Sequence, residues 1–217
     1  LAEFAVIDQR AGTAEALLFG VPLYVAWNTT DDLLNATTGE RARLTLTPLT
    51  GSYDGEATTF LQVEGTGAAF HDLTGAGDYV LAARGRIGTT VLGDLGDVPE
   101  TRRFYSGGGG SVRGYERYLL GPLDDRNDPV GGLSVAEAAI EFRGRIWQDV
   151  GGVVFVDAGT VSTESAFAFD DDLLAAAGLG LRYYSPVGPI RIDAAFPING
   201  REVDDTFQVY FSVGQAF

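Results

Sequence analysis

The sequence predicts an all-β chain, the wall of an antiparallel transmembrane β-barrel, and three observations predict it. Strand-like segments with period-two alternation recur along all 217 residues, and nowhere does a helical period of 3.6 hold for three turns. The segments run about 9–15 residues each, the span of a tilted membrane strand and longer than the ~5–6 residues usual in soluble sheets. The connections are unequal as well. Residues 148–151 and 185–189 form tight turns, whereas about 40 residues between 91 and 133 carry little strand pattern, matching barrels with short turns at one end and long loops at the other.

In chain order the expected strands are 2–9, 18–29, 40–49, 57–68, 78–91, 133–147, 151–161, 175–185, 188–198 and 206–217. Clusters of Gly, Asp, Asn, Thr and Pro separate them, residue types that favour turns for steric or hydrogen-bonding reasons. In 133–147, Ala136, Ala138, Ile140, Phe142 and Ile146 alternate with Glu137, Glu141, Arg143 and Arg145. In 188–198, Ile190, Ile192, Ala194 and Phe196 alternate with Arg191, Asp193 and Ala195. In the last segment Phe207, Val209, Phe211, Val213 and Phe217 share one face, and Gln208, Tyr210, Ser212, Gly214 and Ala216 share the other. A soluble sandwich would turn the oily face inward and a membrane barrel would turn it outward, and alternation alone leaves both open. Strand length, turn asymmetry and a terminal alternating strand closing on Phe217 favour the barrel.

Composition narrows the function classes. The longest apolar stretch, 16–27, is interrupted by Gly20 and Pro22 and falls short of the ~18–20 residues of a membrane helix. Residues 1–10 have no signal-peptide pattern and no initiator methionine, so the chain is expected to start inside a longer protein. A net charge of −15 with basic residues scattered along the sequence argues against nucleic acid as a partner. His71, the sole histidine, is read as a loop residue, and alone it cannot supply a two-histidine zinc site. The acidic run 124–128 lacks calcium-loop spacing, because the twelfth position from Asp124 is Val135 rather than Glu. No catalytic, metal or cofactor site is expected, and the enzyme class is the weakest reading.

The most informative segment lies inside the long loop, taken as about 92–132: Arg103-Phe104-Tyr105-Ser106, four glycines, then Ser111-Val112-Arg113-Gly114-Tyr115. Glycine alone suits a flexible surface loop, and a phosphate loop fails for want of a Gly-Lys-Ser/Thr ending. The segment resembles the sixth extracellular loop of the bacterial surface antigen family of outer-membrane barrels, in which a [VI]-R-G-[FY] tetrad follows R-F-[FY]-x-G-G. Downstream, Val154-Phe155-Val156-Asp157-Ala158-Gly159 is similar to the family's F-x-D-x-G strand, and residues 178–193 with Pro197 are similar to its penultimate hairpin. A weaker match at 27–32 and 38–39 extends the resemblance across most of the chain. If Val154, Val156 and Ala158 face lipid, Phe155 and Asp157 face the lumen, where a carboxylate needs a cation. Arg113 on an infolded loop is one candidate and Arg143, Arg145 or Arg182 on neighbouring strands are others. The resemblance implies the first: Val112, Arg113, Gly114 and Tyr115 locked against Phe155 and Asp157.

The resemblance further implies a single segment, 1–217, forming about the last ten of an expected sixteen strands in the bacterial outer membrane. Upstream strands and periplasmic substrate-receiving domains would lie outside it. The implied function is insertion or export of β-barrel or autotransporter-type substrates through a lateral gate. Phe207, Val209, Phe211, Val213 and Phe217 would then serve as insertion signal and gate. Implied partners are outer-membrane lipid, unfolded outer-membrane proteins and an inner-membrane-anchored, periplasm-spanning protein, with no cofactor. The motif set is closer to the translocation and assembly module branch than to the assembly-machine branch. A passive or polypeptide-secretion channel and a soluble β-rich binding module are the competing classes.

Overall fold

The computed structural model describes residues 15–167, 173–186 and 188–217, and the backbone of 3–7. Both ends of the expected strand 2–9, and Val187 of the penultimate hairpin, lie outside the described residues. One antiparallel sheet holds every strand among the described residues: β1 (Glu3–Ile7), β2 (Ala16–Gly20), β3 (Leu23–Asn28), β4 (Gly39–Tyr53), β5 (Glu56–Asp72), β6 (Tyr79–Val91), β7 (Ser134–Trp147), β8 (Val150–Ser162), β9 (Leu174–Ser185), β10 (Gly188–Pro197) and β11 (Gln208–Val213). Each pairs with its sequence neighbour, except that β2 and β3 both pair β4, and the sheet runs from β1 to β11 without closing on itself.

Two prolines explain the split strand. β2 pairs β4 as far as Gly20 with Leu49, and β3 resumes with Leu23 against Leu46. The gap therefore sets Val21 and Pro22 against Thr47 and Pro48, the point where neither proline could donate a ladder hydrogen bond. β4 and β5 outrun their expected bounds, 40–49 and 57–68. β4 and β5 pair without interruption from Gly39–Phe70 to Tyr53–Glu56, around a two-residue turn in which Asp54 (φ 50°) and Gly55 (φ 82°) both take left-handed backbone. The ladder carries β4 through Thr50–Tyr53, where apolar alternation is lacking, and β5 runs on to bury Phe70 beside Val80 and Ala82. His71 consequently sits on β5, paired with Leu81, rather than in a loop.

The faces settle the sandwich-or-barrel choice. Ile140, Val154, Leu179 and Phe211 are 57–70% exposed, while Glu141, Asp157 and Asp193 on the opposite face are fully buried. Water would penalise such an apolar exterior at roughly 25 cal/mol per Å², and a hydrocarbon surround removes that cost. Arginines scattered in the sequence are gathered by the fold, since the register sets Arg41, Arg43, Arg84, Arg86, Arg143, Arg182 and Arg191 on the inner face. The scattering read from the sequence is thus corrected by period two acting across paired strands.

The last strand also departs from expectation. β11 stops at Val213, because Gly214 adopts φ 92° and breaks the ladder. Phe207, Val209, Phe211 and Val213 keep the outward face. Phe217 does not: it turns inward onto Phe70 (ring centroids 6.3 Å apart) and packs on Ala36, Val80 and Ala82. Parity predicts the outward face only while the strand continues.

Candidate functional site: a loop held in the lumen

Residues 92–133 leave β6 and return to β7 across the inner face. Single bridges Phe104–Gly132, Ser106–Leu120 and Leu123–Pro129 stiffen this loop internally. Arg84 of β6 donates to the carbonyls of Gly110 (2.7 Å) and Ser111, and the Ser111 hydroxyl donates to Glu137 of β7 at 2.6 Å. At the far side Arg191 of β10 donates to the Gly109 carbonyl at 2.9 Å. One loop can touch β6, β7 and β10 together only if the sheet curves around it.

At the tip of this loop Arg113 is 1% exposed. Its Nε donates to Asp157 Oδ2 (2.7 Å) and its Nη2 to Asp157 Oδ1 (2.9 Å), the parallel fork that suits guanidinium to carboxylate. The backbone N–H of Arg113 donates to the same carboxylate at 3.0 Å. Nη1 reaches Glu141 at 2.8 Å and Asp193 at 3.3 Å, and the guanidinium carbon lies 3.3 Å from the Phe155 ring centroid. Burial disfavours the charged form of Arg113, but the hydrogen bonds and charge of Asp157, followed by the charge of Glu141, outweigh it and hold the group above the ordinary arginine range. The strand arginines that could have served Asp157 go elsewhere. Arg143 donates to Glu141 at 2.7 Å, Arg182 donates to Asp193, and Arg145 pairs the partly exposed Asp78 at 3.0 Å.

The rest of the tetrad is held as closely. Val112 and Tyr115 are fully buried in a cluster with Phe104, Leu120, Val135, Val161, Leu174 and Ala176. Gly114 has φ 100°, and a Cβ there would lie 2.6 Å from the Ala176 Cβ, so the position requires glycine. The Tyr115 hydroxyl donates to the Ala175 carbonyl at 2.9 Å. Its pKa is pushed up to about 12, first by burial and then by the charge of Asp204. Tyr210 of β11 accepts from the Gly114 N–H and donates to the Tyr115 carbonyl, both at 2.9 Å.

The structure thus brings Val112, Arg113, Gly114, Tyr115, Phe155 and Asp157 together, and leaves Phe207, Val209, Phe211 and Val213 outside on β11. Sequence reasoning missed Glu141, Asp193, Arg191 and Tyr210 as members of the site, and considered Arg182 only as an alternative partner of Asp157, whereas it donates to Asp193. Their inward parity was readable, but the register that brings three strands, β7, β8 and β10, to one arginine was not. Chemically the arrangement is a buried ion network of Arg113, Arg143, Arg182 and Arg191 with Glu141, Asp157 and Asp193. It can clamp a loop across a lumen and hold the last strand to it. Among the described residues no cluster of His, Cys, Asp and Glu has a metal-binding arrangement.

Known proteins are similar to this chain in sequence and in fold. The Omp85 superfamily domain matches residues 3–217. An "Outer membrane protein assembly factor BamA" of Nitratidesulfovibrio vulgaris is 37% identical over 155 residues, covering 69% of this chain and 19% of that protein. The protein of the same name from Neisseria meningitidis is 26% identical over 176 residues, covering 64% of this chain and 22% of its own length. The crystal structure of Haemophilus ducreyi BamA lacking POTRA domains 1–3 superposes with a TM-score of 0.74 at 23% identity, over 95% of this chain and 44% of that one. This chain therefore spans about a fifth of the curated relatives. Matched over nearly its whole length, the chain belongs to the Omp85 superfamily of bacterial outer-membrane barrel proteins.

Proposed function

We propose that the protein containing this chain assembles other β-barrel proteins into the outer membrane, and that β11 is one side of its lateral gate. Two relatives bearing the assembly-factor name support the assembly reading over the translocation-module branch. The observation that carries the gate is the double hydrogen bond of Tyr210, which ties β11 directly to the loop locked by Arg113. β11 has six residues and pairs only β10 among the described residues, so its other edge can accept a strand. Its inner side is restrained where it continues into the tail. The Gln215 N–H donates to the Leu34 carbonyl at 3.1 Å, and the Gln215 amide donates to Asn35 at 2.8 Å. Unfolded outer-membrane proteins are then the substrates and membrane lipid the surroundings, while a periplasm-spanning partner would act outside this chain.

Photo-crosslinkers at Val209 and Phe211 in the full-length protein, compared with Ile140 in mid-sheet, test this reading during assembly of an unfolded outer-membrane protein. Substrate adducts from the β11 positions alone are expected. Equal adducts at Ile140, or none from β11, would defeat the gate. A passive channel is the competing class, and it requires a lumen that conducts when the loop is deleted and equally when it is intact.

A further inference from the structure

Outside the lock, the inner wall carries two arginines without a carboxylate partner among the described residues. Arg41 and Arg43 stand two residues apart on the inner face of β4. Across from them β3 offers Asn28 and Ala26, and β5 offers Ala68 and Thr66, so none of their cross-strand partners among the described residues is a carboxylate. Arg41 lies 5.8 Å from the Phe70 ring centroid and Arg43 lies 4.7 Å from that of Tyr24. Such contacts position a cation without neutralising it. Among the described residues neither arginine has a hydrogen-bonding or ion-pair partner. The contrast is with Arg86, held between Glu64 (2.7 Å) and Glu137 (3.3 Å), and with Arg113 in the lock. Arg41 and Arg43 line a cavity of about 570 Å³ whose other wall includes Arg84, Arg86 and Gly110. The one carboxylate side chain among its described lining residues, Glu137, already serves Arg86 and Ser111. The cavity is therefore net cationic inside a chain of net charge −15, and its walls focus that field.

We propose that this cavity binds an extended acidic polypeptide segment, with Arg41 and Arg43 taking carboxylates at alternate residues. The spacing selects the ligand class. Same-face side chains on a strand repeat at roughly 6.8 Å, twice the ~3.4 Å rise, and the i and i+2 side chains of an extended peptide repeat at that same distance. A lone phosphate meets one guanidinium and leaves the other bare. Each guanidinium can hold its carboxylate through two parallel hydrogen bonds. The site depends on the inner face of the barrel and not on lateral opening.

The test uses the full-length protein in nanodiscs and a fluorescent peptide of alternating Glu and Ser, with an alternating Lys and Ser peptide and inorganic pyrophosphate as the other arms. Saturable binding of the Glu peptide is expected, with none of the Lys peptide, weakening as salt rises. The Arg41→Gln/Arg43→Gln variant should bind at least about tenfold more weakly, while its heat-modifiable gel migration stays that of a folded barrel. Should that variant fail to fold, Arg43→Gln alone, at the exposed position, is read in the same way. Unchanged affinity in a folded variant overturns the proposal. Tight pyrophosphate binding without Glu-peptide binding overturns it as well, by assigning the site to phosphate.

Discussion

Tyr210, on the last strand, brackets the Gly114-Tyr115 dipeptide of the infolded loop, accepting from the Gly114 N–H and donating to the Tyr115 carbonyl, both at 2.9 Å. A single hydroxyl therefore couples the sheet edge to the lumenal lock. Tyr210→Phe keeps the ring and removes both bonds, at an expected cost of about 1–3 kcal/mol, because the Gly114 N–H loses its acceptor, while the Tyr115 carbonyl keeps only the Gly108 N–H at 3.1 Å. Limited proteolysis of the loop 92–133 should accelerate accordingly. An unchanged cleavage rate would show that Tyr210 merely rests against the loop.

Glu141 accepts from both Arg113 and Arg143 and is fully buried. Glu141→Ala leaves two buried guanidiniums short of charge and should lower unfolding stability by about 3–5 kcal/mol. Arg145→Ala, whose pairing with Asp78 is partly exposed, should cost less than ~1 kcal/mol. Urea titration followed by heat-modifiable gel migration compares them, and equal costs would place both pairs in comparable solvent.

Glycine is required at one position of the loop and tolerated to change at another. At Gly114 a Cβ meets Ala176 and φ is 100°, whereas at Gly110 nothing lies within 4 Å of a Cβ. Gly114→Ala is expected to destabilise the docked loop by about 1–3 kcal/mol, and Gly110→Ala to stay within about 0.5 kcal/mol of the parent. Hydrogen exchange in the loop reads the difference.

Tyr115 supplies the pH dependence. Its pKa is raised to about 12 in the folded protein, against about 10 for an unperturbed tyrosine. Its contribution to docking is complete below about pH 10 and is lost as pH climbs toward about 12, where the unfolded state binds fewer protons than the folded one. Loop proteolysis should rise across that window in the parent. In Tyr115→Phe the tyrosine-linked part of that rise should be absent, and the same pH profile in both proteins would exclude Tyr115 as its source.

The strands and both faces were legible because period two is a local property: Asp157 had to look inward once Val154 and Val156 looked outward. The partner of Asp157 was legible only through the Val112–Tyr115 tetrad and its resemblance. Residue alternation equally allowed Arg143 or Arg182, which the register assigns to Glu141 and Asp193. Phe217 was misplaced because the backbone of a single residue, Gly214, ends the strand before parity can reach it. The gathering of Arg41, Arg43, Arg84 and Arg86 around one cavity was invisible in sequence order, because Arg41 and Arg84, on β4 and β6 with Ala68 of β5 between them, are 43 residues apart.

The central claim is that Arg113 and Asp157 act as one unit in holding the loop whose position sets the last strand. The direct measurement is the rate at which the full-length protein, in proteoliposomes, folds an unfolded outer-membrane protein, compared for parent, Arg113→Ala, Asp157→Ala and the double variant. Each single substitution should slow assembly, and the double should be little slower than either, the non-additivity of contacting groups. Fully additive slowing, or single variants that assemble substrate at the parent rate, would contradict the account.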